Sequence, residues 1–194
     1  MRLVTWNCQG AFAKKSAVAE ALAPDVLVVP ECEQLEGITQ SFGAKPLRSV
    51  QWVGDMPRKG LGVFAFGDYS LAIHPAYDPR HQWILPLRVS GPLSFTLLAV
   101  WTVPHPESKT YVHPWLEALA TYAAMQAEDD ILWAGDFNAG ILFDKPASRY
   151  KFSDFVSALA EKDVHSLYHR KTDCPHGRET DNTFYMQRNP AKGY

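Results

Sequence analysis

Cysteine is scarce in this chain, with Cys8, Cys32 and Cys174 the only three in 194 residues. So small and odd a number cannot frame a disulfide-stapled fold, and a reducing cytoplasm is the expected compartment. Long apolar runs are missing as well. No stretch approaches the roughly 20 residues needed to cross a bilayer, so no membrane span is expected. The opening Met-Arg-Leu-Val-Thr-Trp has neither the apolar stretch nor the small-residue cleavage site of a secretory signal. An excess of one charge is also absent: 19 basic residues face 21 acidic ones, for a formal net charge of −2. A chain held on nucleic acid by charge alone is usually basic in at least one region. Here the basic clusters are small: Lys14-Lys15, Arg58-Lys59, and Arg170-Lys171 with Arg178. Tight non-specific DNA binding is therefore not indicated, whereas a protein that grips a few phosphates through a metal is not excluded.

What is present is an ordinary globular composition, 46% hydrophobic and 21% charged, with no repeat, low-complexity tract or evident linker. The length suits one domain spanning 1–194 with a real core. Short apolar runs alternate with helical patterns, which argues for a mixed α/β (α+β) fold. Strands are expected at 2–7, 25–29, 60–66, 70–73, 82–89, 94–102 and 131–134, with a short one at 183–185. The closely spaced strands between 60 and 102 should pair antiparallel. Helices are expected at 14–22, with Ala17, Val18, Ala21 and Leu22 on one face, and at 114–127, with Trp115, Leu119, Tyr122 and Ala123 making a face. Phe152, Phe155, Val156 and Leu159 fall at helical spacing and define a third.

Three of the apolar strands end in a polar residue: the first at Asn7, the second at Glu31, and the 131 strand at Asp136-Phe137-Asn138. Each residue alone reads equally well as a turn or cap. Together they resemble a site, because strand ends are rigid places for ligands and catalytic groups. Glu31 and Asp136 bring carboxylates, and the asparagines bring neutral oxygens or donors. Hard oxygen ligands of this kind suit Mg²⁺, and a cation so held suits hydrolysis of a phosphate ester.

Thr5-Trp6-Asn7, Asp25 through Pro30-Glu31, Gly60-Leu61-Gly62-Val63-Phe64 and Gly135-Asp136-Phe137-Asn138 occur in an order that resembles the endonuclease/exonuclease/phosphatase superfamily, the group of exonuclease III-like and DNase I-like enzymes. Gly-Asp-Phe-Asn is the most specific piece, and Asp181-Asn182-Thr183-Phe184 resembles a later motif. The resemblance implies a four-layer α/β/β/α sandwich of the DNase I-like type and Mg²⁺ or Mn²⁺ as cofactor. It implies Glu31 as the principal metal ligand with Asn7 on the metal or its water, Asp136 orienting or activating the attacking water, and Asn138 holding a phosphate oxygen. The expected partner is nucleic acid, DNA first, or another phosphate ester.

The chain departs from the family pattern in two places. A Tyr-x-Pro-Asn/Gln stretch is replaced by Thr102-Val103-Pro104-His105, so His105 is expected as a substitute phosphate donor, with Tyr111 or His113 as weaker candidates for the missing tyrosine. The family's closing Asp-Tyr and Ser-Asp-His strands are expected beyond Lys192-Gly193-Tyr194. None of His165, His169 or His176 stands in that motif, so the domain is expected to be C-terminally short, with one sheet edge left unpaired or completed by a partner chain. Arg178, with Arg170 and Lys171, is read as a phosphate-facing loop. Cys174-Pro175-His176 is read as bland, since an isolated pair of soft ligands seldom makes a zinc site. Cys8 and Cys32 are read as small packing residues. Trp52, Trp83 and Trp101 could stack bases, although core packing explains aromatics more often. Two other readings stay open: a phosphatase or phosphodiesterase acting on a small molecule or phospholipid headgroup, and an inactive homologue or truncated chain that serves as a binding protein.

Overall fold

The computed structural model describes residues 1–34, 45–125, 130–183, 185 and 189–193. They form two compact units, 1–138 and 139–194.

Among the described residues, the larger unit contains eight strands in two sheets. The first runs in the order β1–β2–β4–β3, from Leu3–Thr5, Val26–Cys32, Lys59–Phe66 and Leu47–Met56. The second runs in sequence order through β5 (Ser70–Ile73), β6 (Ile84–Ser90), β7 (Phe95–Trp101) and β8 (Ile131–Asp136). The apolar run of β2 is buried from Val26 to Pro30, as suits a strand covered on both faces. It pairs parallel with β1 and antiparallel with β4. The expected antiparallel meander is present in β5, β6 and β7, but it does not extend to β4, which pairs in the other sheet, and β8 joins β7 in parallel.

One face of each sheet packs against the other. Val26, Val28, Leu61 and Val63 from the first sheet meet Leu85, Leu87, Leu97 and Ala99 from the second in one buried cluster. Alternate residues point away: Leu27, Val29, Phe64 and Phe66 meet Phe12 and Ala19, the latter on α1 (Ser16–Glu20). The outer side of the second sheet is covered by α2 (His113–Thr121), whose Trp115 lies 5.7 Å, centroid to centroid, from Trp133 of β8. The layers are therefore α/β/β/α.

Two local expectations need correction. The face read for the first helix is exposed, with Val18 at 57% and Leu22 at 46%, while Ala19 is buried. Phe12, in a 3-10 turn just before the helix, supplies the large apolar anchor in its place and sets the helix's rotation. The strand β3 was not expected. Its residues are half-buried rather than continuously apolar because it lies at the sheet edge. The expected 114–127 helix agrees with α2 up to Thr121, and residues 126–129 lie outside the described set.

The smaller unit carries α3 (Phe152–Ala160) and α4 (Leu167–Thr172). Phe155 is its one buried position among the described residues. Of the expected 183–185 strand, Tyr185 forms a single bridge with Gly193, and residue 184 is outside the described set. Among the described residues no helix is long and apolar enough to cross a membrane.

Candidate active site

The carboxyl ends of β1, β2 and β8 meet, and the four strand-end residues meet with them. The Asn7 side-chain amide donates to Asp136 Oδ2 at 2.7 Å and to Glu31 Oε1 at 3.4 Å. One amide thus joins a carboxylate of the first sheet to a carboxylate of the second. The Asn7 Oδ1 accepts the Gln9 backbone N–H at 3.0 Å, which fixes the amide's orientation. The loop that follows Asn7 is held in turn: Glu33 accepts the backbone amides of Phe12 and Ala13, and Lys15 donates to the carbonyls of Cys8 and Gly10.

Glu31 reaches this place through a β-bulge. The register of β2 against β4 skips between Pro30 and Cys32, and Glu31 has φ +59°. A bulge of this kind bends the strand and re-aims one side chain. The left-handed conformation costs a non-glycine residue about 1–3 kcal/mol, so the surroundings must enforce it. They do so through Trp52, whose indole N–H donates to the Cys32 carbonyl at 3.1 Å. The indole lies over Gly60, where an added Cβ would come within 2.4 Å of the ring. A glycine on β4 therefore lets the tryptophan sit where it braces the bulge.

Asp136 is held from both oxygens, because its Oδ1 accepts the Asn138 backbone N–H at 2.9 Å. Asn138, with φ +46°, donates its side-chain amide to the Thr102 carbonyl at 2.9 Å. Thr102 is fully buried, and it ties the end of β7 to the end of β8 by donating its amide to the Asp136 carbonyl and its hydroxyl to the Phe137 carbonyl. Lys59 adds a positive charge: its Nζ lies 3.3 Å from Glu31 Oε2 and 5.2 Å from the Trp101 ring centroid. Sequence reading missed Thr102, Trp52 and Lys59 as parts of this site. Thr102 opened the noticed Thr102-Val103-Pro104-His105 stretch, and Lys59 stood in a noticed basic pair, but nothing local placed either beside the strand ends.

The other predicted residues have different company. The His105 ring packs on His113, with centroids 4.0 Å apart, and its Nε2 lies 3.6 Å from Glu117. Its Nδ1 accepts the amides of Glu107 and Ser108, which leaves the proton on Nε2. Arg178 is exposed in the smaller unit, where its backbone closes a turn onto Pro175. Cys8 and Cys32 are buried in the outer cluster of the first sheet, and burial pushes both thiols up from their ordinary range. They are packing residues rather than metal-binding thiolates. Trp101 meets Trp83 edge to face at 4.7 Å in the core.

The chain has a DNase I-like fold. It resembles the endonuclease domain of TRAS1, a telomere-specific non-LTR retrotransposon, with a TM-score of 0.59 and 15% identity over 98% of this chain and 81% of that one. Fainter likenesses, each with a TM-score of 0.45, lead to two other structures. An endonuclease/exonuclease/phosphatase from Beutenbergia cavernae DSM 12333 is 18% identical over 82% of this chain and 52% of that one. An AP endonuclease from Archaeoglobus fulgidus is 13% identical over 87% of this chain and 66% of that one. No family model and no curated protein matches the sequence.

Proposed function

We propose that the chain hydrolyses phosphodiester bonds, with DNA as the first substrate and Mg²⁺ or Mn²⁺ as cofactor. The observation that carries this reading is the Asn7 amide holding Glu31 and Asp136 together, at 3.4 and 2.7 Å, where the ends of both sheets meet. Glu31 and Asp136 bring two carboxylates, hard oxygen ligands that fit a divalent cation, while the Asn7 amide nitrogen faces them and its oxygen is held by the Gln9 N–H. Glu31 would be the principal ligand, with Asn7 beside it, and when bound the cation would neutralise phosphate charge and make a coordinated water more acidic. Asp136, oriented through both oxygens, keeps a second lone pair on each and can take a proton from an attacking water. Asn138 has one amide hydrogen beyond the one given to Thr102, and offers it to a phosphate oxygen. Lys59 places an ammonium beside Glu31 that can turn to the same phosphate. The roles read for His105 and Arg178 rest on the sequence alone. The solved structure at TM-score 0.59 is an endonuclease domain, which makes nucleic acid the substrate to try before others.

The test is cleavage of plasmid and oligonucleotide DNA by the purified chain. Turnover should require Mg²⁺ or Mn²⁺, stop with EDTA, and fall by roughly 10²–10⁴ in Asp136→Ala, the range for losing a general base. Turnover confined to small phosphate esters or phospholipid headgroups would move the substrate class. Binding of DNA without turnover under any metal would replace an enzyme with a binding protein.

A further inference from the structure

We propose that His169, His176 and Glu179 form a site for a transition-metal ion of the Zn²⁺ class within the 139–194 unit. The candidate ligand atoms, one nitrogen from each ring and a carboxylate oxygen, all lie within 4.8 Å of one another. Two imidazoles and one carboxylate, with a fourth position for water, are a set that Zn²⁺ favours over Mg²⁺ or Ca²⁺.

The surroundings are arranged as a metal site requires. His169 Nε2 lies 2.9 Å from Glu179 Oε1, while His169 Nδ1 lies 2.7 Å from Ser166 Oγ. A metal-bound histidine characteristically gives its other N–H to a fixed oxygen, and Ser166 provides one. Ser166 is itself anchored as the N-cap of α4. The Gly177 backbone amide donates to Glu179 Oε1 at 3.0 Å, and Gly177, with φ +80°, makes the turn that brings Glu179 back toward His169. The His176 ring stacks on His169, with centroids 3.5 Å apart, so its nitrogens lie near the others and one ring has to turn for both to face a single ion. Among the described residues the His176 nitrogens take no hydrogen bond.

The unit also has a reason to need an ion. With Phe155 its one buried position among the described residues, it has little apolar core of its own. Small units of this kind are commonly held by a disulfide or a metal, and the cysteines are free. The group of His105, His113 and Glu117 is similarly close. It differs in one decisive way: backbone amides occupy His105 Nδ1, which leaves the proton on Nε2, the nitrogen that faces Glu117.

Cobalt(II) is the probe. Titrated into the metal-stripped chain, it should give the visible absorption of a four-coordinate site at one equivalent. Zn²⁺ should displace it, excess Mg²⁺ should not, and Glu31→Gln should leave it unchanged. His176→Ala and Glu179→Gln should abolish the band, Ser166→Ala should weaken binding about tenfold, and Cys174→Ser should retain it. In the unaltered chain the ring resonances of His169 and His176 should shift on adding Zn²⁺, a readout that holds even if a variant fails to fold. Absence of the band, its survival in a folded His176→Ala chain, or unmoved resonances would each overturn the site.

Discussion

Asn7 does work at its position that no carboxylate could do. It donates to two acidic side chains at once, where an aspartate would add a third negative charge with no proton to share. Without the amide, Asp136 Oδ2 loses a charge-assisted donor and its carboxylate is fixed from one side only. Misplacement of a catalytic group by about 1 Å can cost roughly a hundredfold in rate. Asn7→Ala should therefore lower kcat on DNA by about that factor while the melting temperature stays near that of the parent chain. Equal loss of stability and rate would mean that Asn7 is only a packing residue. His105, read as a phosphate donor from its place after Pro104, has its Nε2 3.6 Å from Glu117 and its ring packed on His113.

At the scale of elements, two strand ends carry the site's precision, and each depends on a glycine. The bulge in β2 aims Glu31, and Gly60 admits the indole that braces it. At the other end, Gly135 on β8 has φ +145°, and a Cβ there would lie 1.9 Å from the Val100 carbonyl oxygen of the parallel strand β7. That contact is with backbone, so it cannot be relieved by a rotamer change. Gly135→Ala should destabilise the chain by about 3 kcal/mol or more, the sum of conformational strain and overpacking, as read by urea denaturation. A variant of unchanged stability would show that the strand ends are looser than described. Glycine is thus the residue that lets β7 and β8 pair tightly up to Asp136, the last position of the strand.

Across the whole molecule, the two sheets bury groups that must stay neutral. Burial raises the pKa of Cys8 and Cys32 above the ordinary 9.0, and of Tyr77 above 10.0, while Tyr122 is pushed up to about 12. A group whose folded pKa is raised contributes stability that is fully present below its unfolded pKa and is lost as pH rises toward the folded value. Stability should therefore hold near pH 8 and decline from about pH 9 upward, as the unfolded chain ionises thiols and then phenols. Urea midpoints measured between pH 7 and 11 would show this decline, and replacing both cysteines by alanine should delay its onset. A flat profile would mean that these groups are accessible in the folded chain.

The sequence by itself determined the mixed α/β class and which polar residues close its apolar strands, and the sandwich came from the resemblance its motifs carry. Continuous apolar runs must be buried, and a run such as Val26–Val29 can end only where a polar residue meets solvent or a ligand. It also supplied Gly-Asp-Phe-Asn, whose local turn chemistry is written in adjacent residues. It did not reveal β3, an edge strand of half-buried residues, or α4, whose first residue Leu167 is 74% exposed, because neither has an apolar face to announce it. Nor did it show Lys59 beside Glu31 or His169 beside Glu179, since these pairs come together through packing and turns rather than through spacing along the chain. Only the tertiary structure decided that one asparagine amide would join the two sheets, because that contact spans 129 positions of sequence.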